Sequence, residues 1–356
     1  MSVKPSRHHH LHIVSAKQWG GGESYVYNLI KYGLEHGDSI SLITDKRFPN
    51  IAKRFCHLLT PIQLDLSLFH LFRNIGQLSQ LICEKQITSV NYHSGKVALT
   101  AVEAAAKANV PCIFFRHNIG NGKSDFYHRF IFSRLAMVIC VSDTVKHSLQ
   151  MGLPQPFHSK LRTLLSGVEI PDSYTKEKKS DGHIRIGYAG RLVPNKGIEV
   201  LLRAFQELSI SNIELKIAGD ISSSYTHDLQ NRFADSRIHF LGELSDMADF
   251  YRKIDILVVP SIVPEAFGLT ICEGMSYGLP VISTTSGAQA EIIKNNSDSF
   301  LVTPNSIEEL KDKIFLLCND SGLRRKLGQS AREKVFRHFS METFYRNLEQ
   351  LYQTIP

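Results

Sequence analysis

Short apolar runs recur along this chain, and each ends in a turn that opens a helical pattern. This alternation constrains the fold more than any other feature. Leu11-His12-Ile13-Val14-Ser15 reads as a buried strand that runs into Trp19-Gly20-Gly21-Gly22-Glu23. A helical pattern follows through Tyr25, Leu29 and Tyr32 to His36-Gly37, and residues 39–44 read as a second strand. The same order appears late in the chain. Ile254-Asp255-Ile256-Leu257-Val258-Val259-Pro260-Ser261 is strand-like, Pro264-Glu265-Ala266-Phe267-Gly268 is a loop, and a helix stops at Tyr277-Gly278-Leu279-Pro280. Strand, turn and helix in repetition imply parallel sheets covered by helices, and such sheets bind ligands beyond the C-terminal ends of their strands.

Further strands are expected at 88–93, 110–115, 135–142, 161–165, 184–191, 214–220 (running into a loop), 238–243, 281–284 and 299–303. Helical patterns close the chain at 307–318, 322–337 and 341–352. A length of 356 residues suggests roughly two domains. The stretch Asp172-Ser173-Tyr174-Thr175-Lys176-Glu177-Lys178-Lys179-Ser180-Asp181-Gly182-His183 is polar, with mixed charges and no apolar period. It marks the boundary. The expected divisions are 1–172, a linker at 173–183, a second domain at 184–338 and a closing segment at 339–356.

Several polar groups fall at the expected ligand edges. Glu265 sits in a loop and Glu273 on the helix after it; their oxygens can accept hydrogen bonds from sugar or ribose hydroxyls. Gly268 lets backbone N–H groups at a helix start approach an anion. Arg191 ends one strand and Lys196 opens the next helix; a guanidinium fork and an ammonium point charge suit a diphosphate. His93 and His117 each follow a strand directly.

These residues resemble the retaining GT-B glycosyltransferases, specifically the large GT4 family. The resemblance lies in Glu265 and Glu273 with Phe-Gly-Leu between them, and in the following Gly-Leu-Pro-Val-Ile. It extends to Gly190-Arg191-Leu192 with Lys196-Gly197, and to the Gly-Gly-x-Glu loop at residues 20–23. Ser166-Gly167-Val168-Glu169 looks like the family's Asn-Gly-Val-Asp stretch, with Ser166 in place of asparagine. The implied fold is α/β, GT-B: two Rossmann-like domains with parallel sheets facing a cleft. The implied reaction moves a sugar from a nucleotide sugar, with UDP as the expected base, to a hydroxyl with retention at the anomeric carbon. The resemblance makes His117, Glu265, Arg191 and Lys196 catalytic. It makes Gly21, Gly22, Arg191, Lys196, Phe267, Gly268, Leu269, Thr270 and Glu273 donor-binding. No Asp-x-Asp occurs in the sequence, and no metal or cofactor is expected beyond the nucleotide sugar as co-substrate. The last helix of relatives crosses back to the first domain, and Phe339-Ser340-Met341-Glu342 looks like its start.

The acceptor is less defined. A net charge of +7 fits an anionic partner. The surplus forms no long Lys/Arg run, so nucleic acid is not expected. Phe55, Leu58, Leu64, Leu66, Leu68, Leu71 and Phe72 alternate with Lys53, Arg54, His57, His70 and Arg73. That pattern fits either core packing or a face turned to acceptor or membrane. Residues 120–133 read either as a helix on the sheet or as a loop reaching the acceptor. A glycan or glycolipid acceptor in lipopolysaccharide or other surface-polysaccharide synthesis is the expectation. No apolar run reaches the ~18 residues of a bilayer span, so a cytosolic protein with peripheral contact at the inner face of the cell membrane is expected. The His8-His9-His10 triplet reads as an exposed basic start. The six cysteines form no Cys-x-x-Cys, and Cys112 and Cys140 read as buried thiols. The alternative function is a non-catalytic GT-B partner that binds a glycan or another transferase. A nicotinamide oxidoreductase would require Gly-x-Gly-x-x-Gly at the first turn, which is missing, and a nucleotide-sugar epimerase on the same fold would need no acceptor.

Overall fold

The computed structural model describes residues 8–172 and 182–355. The linker expected at 173–183 lies, apart from Gly182 and His183, outside them. The chain divides into two compact units, Met1–Gly167 with Met341–Pro356, and Val168–Ser340.

In the first unit the elements follow one another as β1 (His9–Val14), α1 (Gly21–Glu35), β2 (Ser39–Asp45), α2 (Pro49–Phe55), β3 (Ile62–Leu64), α3 (Leu71–Glu84) and β4 (Ser89–Tyr92). Then come α4 (Ala98–Lys107), β5 (Cys112–Arg116), α5 (Phe126–Arg134), β6 (Met137–Cys140), α6 (Asp143–Gln150) and β7 (Leu161–Thr163). The seven strands form a sheet in the order β3-β2-β1-β4-β5-β6-β7, and every pairing is parallel. Strands buried on both faces need uninterrupted apolar runs. Residues such as Leu11, Ile13, Val90, Ile113, Phe115 and Val138 supply them, each wholly buried. Ser142 caps α6 by accepting from the Val145 N–H at 3.1 Å, as its position before the helix predicts.

The second unit contains β8 (Ile184–Ala189), α7 (Ile198–Gln206), β9 (Ile213–Ala218), α8 (Ser224–Arg232), β10 (Ile238–Gly242), α9 (Met247–Lys253) and β11 (Ile256–Val259). It continues with α10 (Leu269–Ser276), β12 (Val281–Thr284), α11 (Gln289–Ile292), β13 (Phe300–Val302), α12 (Ile307–Asn319) and α13 (Ser321–His338). Its sheet runs β10-β9-β8-β11-β12-β13, again all parallel. Ile186, Leu215, Ile217, Ile256 and Val258 pack under Leu201, Leu202 and Phe205 of α7. Burying each such side chain is worth about 1.5–3 kcal/mol. The last helix, α14 (Met341–Gln353), groups with the first unit. There Phe344 meets the Tyr25 ring edge-on at 5.4 Å, and the Tyr352 hydroxyl donates to Asn91 Oδ1 at 3.2 Å.

The amino end differs from the expectation. His9 and His10 belong to β1, so the histidine triplet is not a loose exposed start. His10 is buried, bonds Ser89 Oγ through Nδ1 at 2.7 Å and stacks on Tyr352. Polar histidines stay in this strand because hydroxyl and aromatic partners wait for them inside the fold.

Candidate active site

In each sheet the strand order reverses at one point, and the loops that leave there form a natural ligand crevice. In the first unit that point lies between β1 and β4, and in the second between β8 and β11. The candidate residues fall on the loops leaving these strands and the strands beside them.

In the second unit, Arg191 follows β8 and is exposed. Tyr188 donates its hydroxyl to the Arg191 carbonyl at 2.9 Å, which fixes the turn. Among the described residues the Arg191 guanidinium makes no ion pair. Pro194–Lys196 form one 3-10 turn, ended by Gly197 with φ of +71°. The Ile262 N–H donates to the Asn195 carbonyl at 3.0 Å, tying this turn to the loop after β11. Lys196 Nζ thereby reaches Glu265 Oε1 at 2.6 Å. Ser261 donates its hydroxyl to the same oxygen. The Glu265 backbone is held from the other side, where its N–H donates to the Ser286 carbonyl at 3.3 Å and its carbonyl accepts from the Ala288 N–H at 2.9 Å.

Gly268, with φ of +131°, precedes α10 and supplies no capping side chain. The N–H groups of Leu269 and Thr270 in the first turn have no carbonyl a turn earlier to bond, so a bound anion can satisfy them. Phe267 differs from the other donor-side residues. Its side chain is buried and packs against Phe339 at 6.0 Å between ring centroids, which leaves its backbone for any ligand. Glu273 follows on α10 and accepts from the Tyr251 hydroxyl at 2.7 Å. Burial raises its pKa above the ordinary carboxyl value, and the Tyr251 bond opposes that only in part.

In the first unit, Gly21 and Gly22 form the first turn of α1, whose N-terminus has no side-chain cap. A side chain added at Gly22 would begin 3.6 Å from His117 Cβ, so the glycine turn and the histidine are immediate neighbours. His117 follows β5, and the Tyr25 ring packs against it edge-on at 4.8 Å. Burial, and then the Arg116 charge, press its pKa down to about 3, so it is neutral near pH 7.

Three groups of this arrangement escape a reading of the sequence. Ser261 and Tyr251 orient the two glutamates, but they are common residue types with nothing local to set them apart. Gly287, with φ of +76°, leaves room for the Glu265 backbone; a side chain there would begin 2.5 Å from the Glu265 nitrogen and oxygen. The Ser-Gly-Ala triplet after a strand was its one available signal.

Two parallel α/β units, each with polar groups at its switch point, define a protein built of two Rossmann-like halves. Residues 170–334 match the family described as glycosyl transferases group 1, and residues 19–170 match Glycosyltransferase Family 4. The chain belongs to this glycosyltransferase family. A glycosyltransferase of Methanocaldococcus jannaschii is 28% identical over 239 residues, which is 65% of this chain and 64% of that one. The capsular polysaccharide biosynthesis glycosyltransferase CapM of Staphylococcus aureus is 23% identical over 83% of this chain and 84% of its own. A glycosyltransferase crystal structure from Rickettsia africae ESF-5 superimposes with a TM-score of 0.87 at 25% identity, covering 98% of both chains. HepE of Anabaena, solved with UDP and glucose, shares the fold at a TM-score of 0.79 and 18% identity, over 98% of this chain and 100% of that one.

Proposed function

We propose that this protein is a retaining, metal-independent glycosyltransferase. It moves a sugar from a UDP-sugar to a hydroxyl of a glycan or glycolipid in lipopolysaccharide or other surface-polysaccharide synthesis. The observation that carries the reading is the group at the switch point of the second sheet: Arg191, the Lys196–Glu265 pair and the open N-terminus of α10. As the glycosidic bond to the diphosphate breaks, negative charge grows on the leaving oxygens and positive charge on the sugar ring. Arg191, Lys196 and the α10 N–H groups stabilise the first. Glu265 holds sugar hydroxyls and faces the second, while Glu273 holds the ribose. Gly21 and Gly22 let the α1 backbone approach phosphate, and His117 contacts the donor sugar. No side chain is assigned as a covalent nucleophile.

UDP is favoured because HepE, alike in fold, was solved with it. A polysaccharide-type acceptor is favoured by the match to CapM. Contact with the anionic inner face of the membrane, made from the cytosol, is favoured by the +7 charge and by the exposed Phe69, Phe72 and Phe126 of the first unit.

Ligand binding to the native state raises the melting temperature by mass action. The test is therefore thermal unfolding with UDP, GDP, ADP and NAD, on the native protein and on Glu273→Ala. A shift of several degrees with UDP, lost in the variant, is expected. No shift with any nucleoside diphosphate returns the chain to the non-catalytic partner reading.

A further inference from the structure

The first unit holds a row of three imidazoles, of which the transferase reading uses only the last. His12 lies on β1, His93 directly follows β4 and His117 directly follows β5; these strands are adjacent in the order β1-β4-β5. His12 Nδ1 is 2.9 Å from His93 Nε2, and His93 Nδ1 is 3.0 Å from His117 Nε2. Successive rings lie near parallel, at 19° and 21°. Both separations are hydrogen-bond lengths. The nitrogens face one another in pairs and do not converge on a common centre, as the ligands of one metal do.

The surroundings favour the neutral form. Phe115 packs against both His12 and His93, and Tyr25 covers His117. Arg116 sets a positive charge beside His117. Burial presses His12 to about 3 and His93 well below the ordinary imidazole value.

A neutral imidazole has one N–H and one lone pair. If His93 donates from Nδ1 to His117, its Nε2 must accept from Nδ1 of His12. If His117 donates from Nε2, then His93 must donate from Nε2 to His12. Any other assignment puts two protons, or none, in one of the two contacts. All three rings therefore carry the proton on Nδ1, or all three carry it on Nε2. We propose that His12 and His93 are positioning residues that fix, as one unit, the ring orientation and tautomer with which His117 meets the donor sugar. The inference rests on the sugar-contacting role of His117 given above. His117 Nδ1, the nitrogen not facing His93, is then uniformly a donor or uniformly an acceptor toward its ligand. A proton relay to solvent is a poorer account, because the row ends at His12, which is 2% exposed.

The test is nitrogen NMR of the full chain with labelled histidine, on the native protein, His93→Leu and His93→Asn. The asparagine amide keeps a hydrogen-bonding group close to where Nδ1 of His93 faces His117. The native protein is expected to show one shared tautomer at positions 12, 93 and 117, unchanged between pH 8 and pH 5. His93→Leu should give His117 the averaged signal of an unrestrained imidazole, and His93→Asn should restore a single tautomer. In a transfer assay, His93→Leu should lower kcat by about tenfold or more while the donor KM stays within about threefold. Unlike tautomers within the row, or a His117 signal unmoved in His93→Leu and His93→Asn alike, overturn the proposal. The NMR result needs no donor. Absence of any nucleotide-induced melting shift would sink the transferase reading while the tautomer result stood or fell separately.

Discussion

Glu273 ionises only at a cost. It is enclosed on α10, and burial raises its pKa above the carboxyl reference while the Tyr251 hydroxyl recovers part of the penalty. A raised value means that the folded state prefers the protonated acid. That preference contributes its full stability below about pH 4.5 and loses it as pH rises through the folded value. Near neutrality the charge is therefore a burden on the fold; under the proposed function it is kept because a charged acceptor binds a ribose hydroxyl more strongly than a neutral one. Glu273→Gln separates the two effects, since its carbonyl still accepts from Tyr251. Without nucleotide, its melting temperature at pH 7–8 should exceed that of the native protein by a few degrees, and the gain should vanish near pH 4. Its affinity for UDP should fall about tenfold. A variant that is less stable at pH 8 would show that Glu273 carries no burial penalty.

At the scale of elements, the inner strands were legible because both of their faces are buried, which forces continuous apolar runs such as 256–259 and 137–140. Short elements were not. β3 has three residues and α11 four, too few for a period to register, and the partners of β3 lie in β2. The same limit hid Gly287, whose importance is a contact with Glu265 across 22 residues of chain. The glutamates, Arg191 and Lys196 were legible because they stand beside strand ends and turns that local sequence marks. The bonds that orient them, from Ser261 and Tyr251, come from neighbouring elements and leave no local trace. Gly287 joins the stretch after β12 to the loop after β11, so its replacement should act through Glu265. In Gly287→Ala the new methyl would meet the Glu265 backbone, and a positive φ would be strained as well. A loss of about 1–3 kcal/mol is expected, measured by urea unfolding. Transfer activity should fall further than global stability accounts for, because the Lys196–Glu265 pair shifts with the loop. Unchanged unfolding and activity would mean that the loop yields freely.

The whole molecule carries a surplus of seven positive charges, and part of it surrounds an apolar projection. Leu68, Phe69 and Phe72 are 72%, 98% and 88% exposed, in a 3-10 turn (Leu68–His70) and the start of α3. Burial divides the pattern that the sequence left open: Phe55 and Leu66 are core, whereas Leu68 and Phe72 are not. Asp65, just before them, draws Lys46, Arg47 and His70 to within 3.7–3.8 Å. The projection follows β3 at the C-terminal edge of the sheet. The same edge carries Gly21 after β1 and His117 after β5, and α5 begins there with Phe126, 86% exposed. Among the described residues no helix is long and apolar enough to cross a membrane. Aromatic side chains seated in headgroups, with cations beside them, instead bind an anionic surface reversibly. The protein should sediment with vesicles containing phosphatidylserine at low salt. It should not sediment with vesicles of phosphatidylcholine alone, and the anionic binding should weaken as salt shortens the screening length to about 8 Å at physiological ionic strength. The double variant Phe69→Ser/Phe72→Ser should lose vesicle binding while keeping the UDP-induced melting shift, because neither residue is among those assigned to the donor. If the native protein stays wholly in solution beside anionic vesicles at low salt, or the double variant binds them as well as the native chain, the aromatic projection serves another purpose and the acceptor is presented without a lipid surface.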